Sequence, residues 1–88
     1  MEQKNIKFSN HAVEQINNRG LAFSEVEDVL INPDQILHEV EDISVYQKIV
    51  YKINKPYLYR VFVNTKKNPN LVITAYKTSK INKYENKI

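Results

Sequence analysis

The chain has 88 residues, the length of one small domain, so we expect a single domain over residues 1–88. Apolar residues make up 42% and aromatic residues 10% of the chain, which excludes the composition of a disordered protein. Cysteine is absent and glycine occurs once, which excludes disulfides, thiolate zinc sites and Gly-rich phosphate loops. Apolar runs are only a few residues long, so we expect no membrane span and a cytoplasmic protein.

Charge is distributed unevenly between the two halves of the chain. Residues 1–45 contain three Lys and Arg against nine Asp and Glu, a net charge of −6. Residues 46–88 contain ten against one, a net charge of +9. A basic surface of this kind is typical of a protein that binds a polyanion, although lysines also keep exposed strands soluble.

The first predicted helix begins after Ser9 and ends at Arg19-Gly20. Serine is favoured at an N-cap because its hydroxyl accepts a hydrogen bond from the first turn, and glycine adopts the left-handed conformation that follows many helices. His11 and Arg19 lie off the apolar stripe of this helix. That stripe consists of Ala12, Val13 and Ile16.

The second predicted helix begins at Ser24, because Ser24 to Glu27 has the S-x-x-E form of a capping box. Pro33 marks its end. The connection to the first helix is short, so the sequence predicts an N-terminal helical hairpin.

The remaining chain predicts strands. A short strand over residues 35–40 is followed by an alternating segment over 43–53, and turns separate further strands at 57–64 and 71–77. This order indicates an α+β fold, with the two-helix hairpin packed on one face of an antiparallel sheet of about four strands.

Alternation along the strands assigns side chains to the two faces of this sheet. Leu71, Ile73 and Ala75 are predicted to face the helices, together with Val61 and Val63. The opposite face is then cationic, with interleaved aromatic and hydroxyl groups: Tyr46, Lys48, Arg60, Thr74 and Tyr76, continued by Thr78 and Lys80.

A surface of this composition is suited to RNA, because cations neutralise phosphates and aromatic rings stack on unpaired bases. Metal-independent cleavage also requires proton transfer and positive charge at the transition state. Arg60 and Lys80 are the candidates for the charge, and His11 and Tyr76 are the candidates for proton transfer.

Structural roles compete with these assignments. Arg60 is equally suited to an ion pair with Glu39 or another surface acid, and Tyr46 and Tyr76 to packing at the rim of the sheet. A lone histidine such as His11 caps or packs more often than it catalyses. The histidines are not at a metal-ligand spacing, so we expect no metal and no cofactor.

Four segments carry a family resemblance: FSNHAVEQINNRGLAFSEVEDVLINPDQI, VYQKI, YLYRVFVN and VITAYKTSKINKY. From about Phe8 to Tyr84 the chain resembles the bacterial domain-of-unknown-function family 4258. Its layout is also similar to that of the RelE/ParE and BrnT toxin–antitoxin ribonucleases. By position, the family pattern falls on His11, Arg19, Arg60, Thr74, Tyr76, Thr78, Ser79, Lys80 and Tyr84.

The resemblance implies a toxin-like, metal-independent endoribonuclease of a bacterial toxin–antitoxin system, with RNA as its substrate and an antitoxin protein as its partner. Together with the face assignment, it predicts these RNA-contacting residues: Arg19, Tyr46, Lys48, Thr74, Thr78 and Tyr84. The alternative is a non-catalytic module that binds RNA or a protein, either as a ParE-like inhibitor or as a regulatory partner.

Overall fold

The computed structural model describes residues 6–83, which form a five-stranded sheet and two helices. In chain order the elements are β1 (Ile6–Phe8), α1 (Asn10–Asn18), α2 (Phe23–Ile31), β2 (Gln35–Val40), β3 (Ile43–Tyr51), β4 (Pro56–Asn64) and β5 (Asn70–Thr78). The strand order in the sheet is β1-β5-β4-β3-β2.

The sheet is mixed, which confirms the α+β class but corrects the predicted antiparallel sheet of four strands. Strands β2 to β5 form the expected antiparallel meander, whereas β1 pairs parallel to β5, with Ile6 opposite Asn70 and Phe8 opposite Val72. A strand of three residues is too short to show an alternating pattern. Its pairing is also non-local, so only the folded chain reveals it.

Helix α1 begins and ends where the sequence predicts. The Ser9 hydroxyl accepts a hydrogen bond from the backbone N–H of Ala12 at 3.0 Å. At the other end Gly20 has a φ of +69°, and the N–H of Leu21 donates to the carbonyl of Ile16 at 3.0 Å. This is the Schellman arrangement, in which a glycine satisfies the last carbonyls of a helix.

Helix α2 begins earlier than predicted, so the expected capping box is wrong. Ala22 is the N-cap, and its carbonyl accepts hydrogen bonds from the N–H groups of Glu25 and Val26. Ser24 therefore lies inside the first turn. The predicted helical hairpin is also corrected, because α1 packs mainly on β5 while α2 packs on β3 and β4.

The two helices are both nine residues long. Within residues 6–83 there is no helix of the length and apolarity required to cross a membrane.

The hydrophobic core lies between the helices and one face of the sheet, which we call the covered face. Burial of each Val, Leu or Ile side chain there stabilises the fold by roughly 1.5–3 kcal/mol. Its fully or nearly fully buried members are Ala12, Ile16, Leu21, Val26, Val29, Leu30, Tyr59, Val61, Val63, Val72 and Ala75.

A β-bulge in β5 changes which residues of that strand enter the core. The register between β4 and β5 shifts at Ile73, which is an extra residue relative to β4. Such an insertion moves the following side chains to the opposite face from the one that simple alternation predicts. Val72 and Ala75 are therefore both buried, and the prediction that Leu71 and Ile73 fill the core is wrong.

The predicted faces of β3 are reversed. Tyr46 lies opposite Val61 and Lys48 opposite Tyr59, so both side chains belong to the covered face. Lys48 binds α2 there, donating to the carbonyl of Asn32 at 2.9 Å. The predicted placement of Tyr46 and Lys48 on the opposite, open face is wrong, because β3 carries apolar residues on both faces and its alternation does not identify the inner one.

Candidate functional site on the open face

Four polar residues form a straight row across the open face, the face turned away from the helices. They come from four adjacent strands, and each is the direct cross-strand partner of the next: Gln35, Gln47, Arg60 and Tyr76. Gln47 Nε2 donates to Gln35 Oε1 at 3.2 Å, and Arg60 Nε donates to Gln47 Oε1 at 2.9 Å. We call these four residues the polar row.

Arg60 lies at the centre of the polar row and is only 5% exposed. Its Nη1 donates to Tyr76 Oη at 2.9 Å, and its Nη2 lies 3.5 Å from Glu39 Oε2. A buried guanidinium requires such partners because removing the charge from water is costly. The ion pair with Glu39 that the sequence left open as a structural role for Arg60 is therefore present.

Glu39 reaches Arg60 from a β-bulge. The register between β2 and β3 shifts between His38 and Val40, so Glu39 is the extra residue of the edge strand. Bulges re-aim the side chains they carry and are frequent next to active sites. The sequence predicts Glu39 only as an ion-pair partner of Arg60, because nothing in the linear pattern distinguishes it from the neighbouring acids.

Aromatic rings surround the guanidinium of Arg60. Its central carbon lies 5.5 Å from the ring centroid of Phe62 and 6.0 Å from that of Tyr76. The two rings are tilted against each other with centroids 6.0 Å apart. Both side chains are half-buried, so the centre of the open face combines a cation with aromatic surface.

Arg19 approaches the same site from the edge of the sheet. Strand β1 pairs only with the first three residues of β5. Further along β5, Arg19 Nη1 donates hydrogen bonds to the carbonyl of Ala75 at 2.8 Å and to Thr74 Oγ1 at 3.4 Å. The guanidinium lies 6.0 Å from the Tyr76 ring centroid. No acidic side chain pairs with Arg19 in the part of the chain that the structure describes.

The structure brings together some of the predicted site residues. Arg60 and Tyr76 are in direct contact, and Arg19 and Thr74 lie beside them. His11 is exposed in the first turn of α1, eight residues before Arg19 and therefore about 12 Å away along the helix axis. The structure therefore does not place His11 beside Arg19.

The predicted residues at the end of the chain lie beyond Tyr76. Thr78 is the last residue of β5 and shares the face of Tyr76, and its hydroxyl accepts a hydrogen bond from the N–H of Lys80 at 3.0 Å. Lys80 is exposed past the strand end. Tyr84 lies outside the described residues.

A second ionic cluster lies on the covered face. Tyr59 Oη donates to Glu25 Oε1 at 2.7 Å, and the ammonium of Lys52 pairs with the other carboxylate oxygen. Burial raises the pKa of Glu25, but hydrogen bonds from Lys52 and Tyr59 and the charge of Lys77 outweigh it, so this pKa lies below its ordinary value of 4.5. Burial, followed by the hydrogen bond to Glu25, raises the pKa of Tyr59 to about 12. These contacts link Glu25 of α2 to the sheet.

The fold and the site define a small α+β domain with a mixed sheet, one face of which carries a buried arginine between a carboxylate and a phenol. The sequence model of the family described as "Domain of unknown function (DUF4258)" matches residues 8–77, and the chain belongs to this family. The match includes Glu39, Arg60 and Tyr76 and ends before Thr78. No curated protein and no solved structure matches the chain.

Proposed function

We propose that this protein is a toxin-like endoribonuclease that cleaves single-stranded RNA on its open face, with Glu39, Arg60 and Tyr76 as the catalytic residues. The observation that carries the proposal is the contact of one guanidinium with both a phenol and a carboxylate, at 2.9 and 3.5 Å. A base, a cation and a proton donor are the groups that metal-independent RNA cleavage requires.

In the proposed reaction Glu39 accepts the proton of a ribose 2′-hydroxyl, and the 2′-oxygen attacks the adjacent phosphorus. The bond from phosphorus to the 5′-oxygen breaks, and the leaving oxygen takes the proton of the Tyr76 hydroxyl. Arg60 donates hydrogen bonds to the non-bridging oxygens, where negative charge accumulates. The products are a 2′,3′-cyclic phosphate and a 5′-hydroxyl, and water returns the proton from Glu39 to Tyr76.

The surroundings of this centre support RNA as the substrate. Arg19 offers a guanidinium without an acidic partner among the described residues, next to the Tyr76 ring. Phe62 and Tyr76 supply aromatic surface on the same face. Arginines contact phosphates and aromatic rings stack on unpaired bases, so the open face suits a single strand better than a duplex.

The test uses the purified protein and a fluorescently labelled single-stranded RNA, with and without EDTA. We expect cleavage in both conditions and a cyclic phosphate at the new 3′ end. Glu39→Gln removes the base and is expected to lower the cleavage rate about 10²–10⁴-fold. Glu41→Gln, two residues further along and exposed, is the matched control and is expected to cleave at the wild-type rate.

Two results would contradict the proposal. Cleavage by a folded Glu39→Gln variant at the wild-type rate would leave Glu39 only its structural role as the partner of Arg60. RNA that is bound but never shortened would favour the alternative, a non-catalytic RNA-binding module. In that case Arg60→Ala should weaken binding and reduce its salt slope by about one.

A complementary experiment addresses a protein target and the toxin role. Wild type and Arg60→Ala are expressed in a bacterial host while growth and total RNA integrity are followed together. Growth arrest with RNA cleavage, relieved by Arg60→Ala, is the expected result. Arrest with intact RNA would instead favour a ParE-like inhibitor of a protein.

A further inference from the structure

A cavity of about 460 Å³ opens past the end of β5. Two tight turns shape its wall after the strand: the N–H of Lys80 donates to the Thr78 hydroxyl at 3.0 Å, and the N–H of Lys83 donates to the carbonyl of Lys80 at 3.2 Å. The residues that line the cavity are Pro56, Ser79, Lys80, Ile81, Asn82 and Lys83.

The chemistry of this lining matches a nucleotide. Lys80 supplies an ammonium group, a hydroxyl and a carboxamide add further hydrogen-bonding groups, and Pro56 and Ile81 supply apolar surface. None of the described residues that line the cavity is acidic. The volume falls in the range of small-molecule sites, roughly 300–1,000 Å³.

The cavity lies beyond the end of β5 that carries Tyr76 and Thr78. Thr78 lies two residues beyond Tyr76 on the same face, about 7 Å along the strand, and the cavity begins at the next residue. A single strand bound with one phosphate at Arg60 therefore leads past Thr78 towards Lys80.

We infer that this cavity is a nucleotide-binding subsite, in which Lys80 holds a phosphate of the RNA beyond the cleaved bond. The inference rests on the proposed function and extends it, because it makes the substrate an oligonucleotide longer than the two nucleotides that flank the cleaved bond. It also assigns Lys80 to binding rather than to the chemical step.

The kinetic test compares a dinucleotide with a tetranucleotide that contains the same cleavable step. The longer substrate is expected to have the lower KM. Lys80→Ala is expected to raise KM for the tetranucleotide about tenfold at an unchanged kcat, and to leave KM for the dinucleotide unchanged. Lys67→Ala, an exposed lysine in the turn at the opposite end of β5, is the matched control. Equal KM values for the two substrates, or a loss in kcat alone for Lys80→Ala, would overturn the inference.

A binding test separates this inference from the proposed function. Adenosine 3′,5′-bisphosphate is titrated into the labelled protein, and amide NMR shifts are followed in wild type and in Lys80→Ala. Shifts centred on residues 79–83 that Lys80→Ala reduces would support the subsite, even if the protein does not cleave RNA. RNA cleavage without such shifts would overturn the subsite and retain the proposed function. Shifts caused by a poly-glutamate peptide but not by the bisphosphate would also overturn it and would favour an acidic protein segment.

Discussion

The two faces of the sheet reach similar depths of burial with different chemistry. On the covered face the sheet residues in the core are mainly aliphatic, among them Val61, Val63 and Val72, each 0% exposed. On the open face Gln47 is 0% and Arg60 is 5% exposed. Aliphatic burial stabilises a fold directly, whereas a buried charge only offsets its own desolvation through its partners. The open face also buries Val45 and Leu58 completely, so it too contributes to stability. The polar row differs in carrying a buried charge, and the proposed function rests on that charge.

The largest expected effect on stability comes from the covered face. Ile16→Ala removes a fully buried side chain of α1 and is expected to lower the free energy of unfolding by about 2–5 kcal/mol. Urea denaturation measures this loss. The remaining folded protein should keep its KM for RNA, because Ile16 lies on the other side of the sheet from Arg60. A loss below about 1 kcal/mol would contradict the assignment of Ile16 to the core.

The polar row should respond differently. Arg60→Met leaves Gln47 Oε1 buried without its donor, and we expect a destabilisation of about 1–3 kcal/mol. The double variant Gln47→Leu/Arg60→Met replaces both groups with apolar ones and is expected to recover most of that loss, while RNA cleavage stays abolished. Thermal denaturation of wild type, Arg60→Met and the double variant measures these differences in stability. A double variant less stable than Arg60→Met would show that the polar row itself stabilises the fold.

The ionic cluster on the covered face gives a pH-dependent prediction. Because the pKa of folded Glu25 lies below 4.5, its stabilising contribution is complete above that value and is lost as the pH falls through the folded pKa. Glu25→Gln is expected to cost about 1 kcal/mol near pH 7 and to flatten this acid-side loss. Urea denaturation of wild type and Glu25→Gln at about pH 7 and about pH 3 tests both expectations. Glu27→Gln, at an exposed position, is the control. An unchanged acid-side slope in Glu25→Gln would contradict the role of the cluster.

An effect of similar size is expected at the junction of the two faces, where α1 ends and Arg19 contacts β5. Gly20→Ala places a side chain at a φ of +69°, and no atom lies within 4 Å of the added Cβ, so the cost is backbone strain alone. We expect a loss of about 1 kcal/mol, and less for Gly20→Asn. Thermal denaturation of both variants tests this, and an equal loss would indicate a cause other than φ.

The boundaries of most elements could be predicted because short-range chemistry determines them. Ser9 and Gly20 cap α1 as their residue types indicate, and Pro33 follows α2 closely. The strand starting at Gln35 has the predicted bounds, and the other three predicted strands differ from theirs by no more than two residues. The start of α2 differs because Ala22 is the N-cap and not Ser24, although serine is the better capping residue.

The faces of the strands were only partly predictable. Arg60, Thr74 and Tyr76 lie on the open face as expected, whereas Tyr46 and Lys48 do not. Alternation separates two sets of side chains but does not say which set faces the helices when both contain apolar residues. A single extra residue in β5 also changes which side chains of that strand face the helices.

Glu39 shows the same limit at the candidate site. The sequence names Glu39 as one candidate partner of Arg60, but which acid pairs with Arg60 depends on the alignment of three strands, which the linear pattern does not show. The roles of His11, Tyr76, Lys80 and the RNA-contacting residues stay predictions, to be decided by the cleavage and binding experiments.

By itself the sequence determined the order of the two helices and of strands β2 to β5, and the caps of α1, because these depend on residues close together in the chain. Only the tertiary structure decided that β1 joins β5, which face of β3 meets the helices, and that Glu39, Arg60 and Tyr76 meet. Those outcomes depend on the register between strands, which the packing of the whole core selects.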